Sequence, residues 1–176
     1  MTDLSQFRGS LQPASERLAL GERLTFFRRA AIARIEDLGD TIAATRPLPK
    51  TDLTVGGIVK HLSRTEDGWF TRTFAGEAMP APWSDAPGQA ESSWAFASSR
   101  HDTVVQIIDL YEAAIARSEE VAGRHDSLDA LAAQVSFGSS RVTLRWLLVH
   151  MITETAWHVG HLDLLRDALD APRVPD

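Results

Sequence analysis

The chain has no cysteine. Disulfides, thiolate ligands and a cysteine nucleophile are thereby excluded, so a metal site has only His, Asp, Glu and water to draw on, and thiol chemistry needs an imported small molecule. Lysine is almost as scarce: Lys50 and Lys60 are the only two, and the arginines that complete the 18 basic residues are scattered. Against 24 acidic residues and a net charge of −6, the positive excess that tracks a phosphate backbone is missing, which speaks against a nucleic-acid partner. No apolar run approaches the roughly 18 residues of a membrane helix, and the opening residues Met1 to Arg8 lack the apolar stretch of a secretory signal. The expectation is a cytoplasmic protein with no membrane partner, and the absent cysteine agrees with a reducing compartment. Internal repeats and useful lengths of β-alternation are missing too.

At 176 residues the chain is expected to form a single domain over 1–176, large enough to bury a core without covalent staples. Apolar residues recur in steps of three and four from about Ser15 to Ala44, through Leu20, Leu24, Phe27, Ala31, Ile35, Leu38 and Ile42. This predicts one amphipathic helix, ended by Arg46-Pro47-Leu48-Pro49. Thr54 is a fitting N-cap for a second helix that carries Val55, Ile58, Leu62, Thr65 and Trp69 to about Ala75, with Gly76 as its stop. Gly56-Gly57 in its first turn costs up to about 1 kcal/mol each in helix propensity, so either close packing retains them or the helix starts loosely. From Gly76 to Arg100 periodicity is lost among Pro80, Pro82, Pro87 and Gly88, and a connection that long reads as a crossover strap pinned by Trp83, Trp94 and Phe96. A third helix is expected from Asp102 to Ala122, with Val104, Ile108, Tyr111, Ala114 and Ile115 inward and Gly123 as its stop. A second connection from Arg124 to Val142, with an apolar patch at Leu128 to Ala133, leads to a fourth helix from Thr143 to about Leu169. Four long amphipathic helices predict an all-α four-helix bundle.

The fourth helix carries the chemistry. His150, Glu154 and His158 follow one another at i, i+4 spacing and His161 returns to the same stripe a turn later, while Leu144, Leu147, Met151, Leu162, Leu165 and Leu169 share that half of the wheel. A carboxylate and imidazoles at the centre of an apolar face need compensation worth several kcal/mol, and a divalent ion is the simplest source. A bundle site draws ligands from facing helices, and mid-helix His61 is the natural partner. Three protein ligands with open positions form the pattern of a catalytic site. Ordinary readings stand beside this: His61 as a hydrogen-bonded boundary histidine, and Glu154 with His158 as a solvent-facing ion pair. His101 and His125, in or beside connections, are expected in solvent. Trp69, Trp83 and Trp157 are candidates for pocket wall or core.

Taken in order, Pro47-Leu-Pro-Lys-Thr-Asp-Leu-Thr-Val-Gly-Gly-Ile-Val-Lys-His61-Leu62, Glu66-Asp67-Gly68-Trp69-Phe70, Pro82-Trp83-Ser84-Asp85 and the run from Val142 through His150 to Arg166 resemble the DinB superfamily of YfiT-like metalloenzymes. Within it the chain is similar to the DUF664 branch, related to the N-terminal domain of mycothiol-dependent maleylpyruvate isomerase, and the resemblance covers nearly the whole chain. It implies an up-down-down-up bundle with a long crossover between the second and third helices. It also implies a metal held by a histidine of the second helix and two residues a turn apart on the fourth, positions matched by His61, Glu154 and His158 in a mixed His/Glu/His variant. Zn or Ni are the implied occupants, although two imidazoles and a carboxylate also tolerate Mn(II) or Fe(II). Where close relatives carry a second acid beside the ligand glutamate, this chain has Thr153, which points off the stripe. His150 and His161 neighbour the site as catalytic proton carriers or orienting groups, with ligation by His150 in place of Glu154 the rival.

Relatives use mycothiol or bacillithiol as cosubstrate. The function this implies is a divalent-metal-dependent S-transferase or isomerase acting on a small-molecule substrate with a mycothiol-like thiol. The alternative is a non-catalytic metal-binding stress-response or small-ligand module. Relatives often pair, which leaves a homodimer open.

Overall fold

The computed structural model describes residues 15–86, 91–136, 138 and 140–170, apart from the side chains of 91 and 92. Among them the secondary structure is helical, with no strand and one isolated bridge between Leu131 and Thr143. Six α-helices follow in order: α1 Glu16–Ala33, α2 Asp40–Ala43, α3 Val55–Glu66, α4 Glu91–Ser98, α5 Val104–Gly123 and α6 Leu144–Asp170. Side-chain caps set where the long ones begin. Ser15 accepts from Leu18 N, Thr54 from Gly57 N, and Thr103 from Gln106 N in a reciprocal capping box. Thr143 Oγ1 accepts from Trp146 N at 3.2 Å and does the same for α6.

Two sequence expectations need correction. The segment read as one helix over 15–44 is broken: α1 ends at Ala33 and a separate four-residue α2 follows Gly39. Tertiary contacts hold the break open, because the Arg166 guanidinium donates to the freed Arg34 carbonyl and to the Asp37 carboxylate. Asp40 Oδ1 then accepts from Val104 N at 2.8 Å, so the short helix satisfies the start of α5. The connection over 76–100, expected without periodic structure, carries a 3-10 turn at Trp83–Asp85 and the whole of α4. Its serine-rich eight residues are too short to show a period. The pinning aromatics are there: Trp83 Nε1 donates to Asp67 Oδ2 at 2.9 Å, and Trp94 lies edge-on to Trp83 and under the Lys60 ammonium.

The second long helix runs past Glu66, but as a π-helix over Asp67–Phe74, where Ala75 N bonds to Phe70 O. Its last carbonyls are taken up by the second connection, with Ala133 N donating to Phe74 O and Gln134 N to Thr73 O. Gly76, at φ +74°, makes the turn out, with a would-be Cβ only 2.9 Å from Ala133 Cβ.

α1 packs along α6, and α3 against α5. The ion pairs Glu16–Arg145, Arg34–Asp163 and Asp37–Arg166 all span 129 residues, so α1 and α6 point the same way in one register. Between them the helices bury two apolar clusters. One gathers Ile32, Ile35, Ile58, Leu62, Ile107 and Leu162, and the other Leu24, Phe70, Val121, Leu147 and Met151. At the level between the clusters the long helices present buried polar groups: Arg28, Glu66 with Asp67, Ser118 and Thr155. Arg28 grips Glu66 through two bonds of 2.7 and 2.6 Å, and Arg117 grips Asp67 through bonds of 2.8 and 2.9 Å. Tyr111 lies fully buried beside them. Burial, and then the Glu66 charge, push its pKa well above the usual phenol range, so it is neutral.

Breaking a buried pair from one side leaves a bare charge. Glu66→Ala is expected to lower unfolding free energy by about 3–5 kcal/mol in denaturant titration, whereas Arg28→Met with Glu66→Leu should recover most of that loss. A single variant as stable as the double would show that Arg28 finds another partner.

Candidate metal centre

α3 and α6 bring His61, Glu154 and His158 together. One donor atom from each lies within 4.8 Å of the others, and the set could hold a metal ion. Glu154 Oε1 is 3.6 Å from His61 Nε2 and 3.3 Å from His158 Nε2. Both separations are longer than a good hydrogen bond. They match the edge of a tetrahedron with metal–ligand bonds near 2.1 Å, which is about 3.4 Å. The imidazoles meet edge to face with centroids 4.9 Å apart, and the buried Nδ1 of each has no hydrogen-bond partner among the described residues. Each ring is therefore held by packing and by what its other nitrogen faces. The donor set fits a borderline divalent ion.

His61 is placed by packing from both sides. Its ring stacks on Phe96 of α4 at 4.8 Å and 20°, and Thr65 Oγ1 donates to its carbonyl at 3.0 Å. The two glycines retained at the start of α3 account for this approach. A Cβ on Gly57 would lie 3.2 Å from Phe96 Cδ1 and 2.8 Å from the capping Thr54 Oγ1, and one on Gly56 would lie 3.1 Å from Ile107 Cδ1. Close packing, not a loose helix start, keeps them.

The metal-capable stripe is not central in the apolar face, as the wheel suggested. The buried line of α6 runs through Leu144, Leu147, Met151, Thr155, Leu162 and Leu165, with Thr155 closing its hydroxyl onto Met151 O. His150, Glu154, His158 and His161 form its partly exposed border, the Glu154 side chain at 25% and His158 at 15% exposure. The border position suits a site that must be reached from outside. Facing His158 and then His61, against a smaller opposing effect of burial, holds the Glu154 carboxyl well below the usual carboxylate range. It is an anion throughout the neutral range.

His150 does not join the triad. Its ring stacks on Trp146 at 4.9 Å and 11° and meets the edge of Trp69 at 4.6 Å. Burial lowers its pKa, with Glu154 opposing, so it favours the neutral form. His161 sits on the other side, its ring 5.4 Å from His158 and its buried Nδ1 without a partner among the described residues. Of the three tryptophans singled out in the sequence, Trp69 borders the site through the His150 ring. Trp83 is buried against Asp67, and Trp157 is 67% exposed, outside the core, with its ring 6.1 Å from that of His161. Thr153 faces solvent as its position implied. His101 is exposed, but His125 is half-buried, edge-on to Phe74 at 5.2 Å, because Arg17 binds its carbonyl and draws the connection inward. Sequence reading missed Trp146. The signal was present, an aromatic one turn before His150 on the same side.

Gly57→Ala tests the packing that sets His61. At an open helix position this change gains up to about 1 kcal/mol, as expected for Gly160→Ala, which meets nothing within 4 Å. At 57 the capping hydroxyl must move, and thermal or chemical unfolding should show a loss of about 1 kcal/mol or more.

No curated protein matches the chain. The family model described as Mycothiol-S-transferase matches residues 19–171, a span that contains all three members of the triad together with His150 and His161. The chain belongs to the mycothiol-S-transferase family, of the DinB/YfiT-like kind that the sequence motifs resemble.

Proposed function

We propose that the protein is a divalent-metal-dependent S-transferase or isomerase that uses mycothiol or a similar small thiol on a small-molecule electrophile in the cytoplasm. His61, Glu154 and His158 are its ligands, with zinc or nickel as the ion. They sit in a single domain built as an up-down-down-up four-helix bundle with α4 in the crossover. The shared register of α1 and α6, and the antiparallel meeting of His61 with His158 and Trp69 with His150, support that topology. The observation that carries the functional reading is the convergence of three donor atoms from two helices within 4.8 Å.

A divalent ion held there lowers the pKa of a ligated thiol, which presents sulfur as thiolate near neutral pH. The chain's own groups do the rest. Glu154 supplies the anionic ligand without needing to lose a proton, because its carboxyl is already held ionised. The His150 imidazole, kept neutral by burial between Trp69 and Trp146, takes the thiol proton. His161, beside His158, has an Nδ1 without a partner among the described residues at which to hold another. In the transfer a sulfur–carbon bond forms as the bond from that carbon to its leaving group breaks, and no group is oxidised or reduced.

Protein purified without chelator or affinity metal should contain about one ion per chain by elemental analysis. Glu154→Ala and His158→Ala should each weaken metal retention by at least about tenfold and abolish thiol-dependent loss of an electrophile. His150→Phe should keep the ion and lose about 10²-fold or more in rate. A metal-free wild type, or electrophile loss that ignores added thiol, would sink the reading.

A further inference from the structure

The outer face of α6 carries a second line of side chains. Trp146, Val149, Thr153, Trp157, Gly160 and Leu164 follow in steps of three and four, and at about 100° per residue they fall within an arc of roughly 80°. All six are exposed, Leu164 at 61%. From Trp146 to Leu162 the only acidic or basic residue other than histidine is Glu154 of the triad, so about 25 Å of helix faces outward without a formal charge. Single exposed apolar residues are ordinary, but a continuous stripe of them marks a docking surface.

The geometry points to a second copy of this chain as the occupant, with the two α6 helices packed antiparallel across a two-fold axis. The stripe is complementary to itself in that arrangement alone. Residues that meet across such an axis lie equally far from it along the helix, and an axis at the level of Thr155 sets Trp146 on the partner's Leu164, Val149 on the partner's Gly160, and Trp157 on the partner's Thr153. Each larger side chain thus finds a smaller one, and a would-be Cβ on Gly160 meets nothing within 4 Å, so room is left for the valine. Charge agrees. Arg145 stands at one end of the stripe and Asp163 and Asp167 at the other, so antiparallel copies bring opposite charges together at both ends, whereas parallel copies set like beside like. Trp157, Trp146, Leu164 and Val149 expose on the order of 400 Å² of side chain between them, and the flanks raise the footprint to roughly 600 Å² per copy, the low end for a specific interface. The pair is therefore reversible, not obligate.

Pairing of this kind bears on the triad. One flank of the stripe faces α1, where Arg145 and Asp163 are tied to Glu16 and Arg34. The other holds His150, Glu154, His158 and His161 on the side of α3. A two-fold axis between antiparallel helices keeps equivalent flanks on the same side of the seam, so both triads open to one side and each α6 forms a further bank of its partner's site. The stripe already leans on that flank, with Trp146 stacked on His150 and the Trp157 ring 6.1 Å from His161. The inference needs neither a bound ion nor a thiol, and its test uses neither.

Sedimentation of the full chain from about 1 μM to about 1 mM should show a reversible monomer–dimer equilibrium with a dissociation constant on the order of 10 μM. Trp157→Glu and Leu164→Lys, both at exposed positions outside the core, should each weaken pairing at least about tenfold with helical circular dichroism unchanged. The cysteine-free chain also allows the direction of packing to be read. A mixture of Val149→Cys and Gly160→Cys chains should give a disulfide-linked heterodimer on mild oxidation. Val149→Cys alone should not link to itself, because its two copies lie about 18 Å apart along an antiparallel pair. Self-linking of Val149→Cys, charged variants that pair like wild type, or a chain that stays monomeric at about 1 mM, whatever else covers the stripe, would overturn the proposal.

Discussion

Two carboxylates buried next to each other in the chain, Glu66 and Asp67, constrain everything around them. Neither has any exposed surface, and a buried carboxylate without a cation is among the costliest states a fold can adopt. Glu66 is answered by Arg28 from α1, and Asp67 by Arg117 from α5 together with the indole of Trp83 from the crossover. Three separate parts of the chain are thus tied to one turn. A slip of any of them by a helical turn would leave an unpaired charge, so the pairs select the register even where they add little net stability. It is at this turn that the backbone widens from α to π.

The same turn fixes the height at which α3 meets α6. Thr155 lies at the polar level of α6, and its neighbour Glu154 is therefore turned toward α3 at a set position, with His158 one turn on. His61 stands five residues before Glu66 and meets both. The widened turn that follows carries Trp69 against His150 and Trp146, so the aromatic wall and the donor triad descend from one irregularity. Mounting these groups on helices instead of loops is what allows separations of a few tenths of an ångström to matter.

The stretches that were legible in the sequence share a reason. α3, α5 and α6 announce themselves through long periodic runs and capping residues at Thr54, Thr103 and Thr143, all local signals. The triad was legible too, since an i, i+4 pair of metal-capable residues beside leucines is visible without coordinates. What stayed hidden depends on distant partners. The break after Ala33 exists because Arg166, far along the chain, supplies donors to the opened turn, and helical periodicity continues straight through it. α4 is eight residues long and acquires its helix from packing on α3. The buried charges were invisible because Glu66, Asp67 and Arg28 look like any surface residues until their partners are known. The border position of the stripe was likewise a matter of degree, because a wheel assigns half a circumference while burial is decided by where the neighbouring helices stop.

Were an ion held at the triad, charge would account for a carboxylate standing where a third imidazole could. On the proposed reading, three neutral ligands would leave the full double positive charge of the ion in a half-buried border, and the cost of holding that charge rises as water is excluded. Glu154 removes one unit before any substrate arrives, and its strongly favoured ionised form means that it does so across the neutral range. A thiolate bound beside these residues would bring the sum to zero. A neutral assembly is the one that a site walled by Trp69, Trp146 and Phe96 favours. With His in that place the same thiolate would remain inside a net cation, more tightly held and less ready to leave for carbon. On that reading the mixed donor set would favour a sulfur that keeps its nucleophilicity.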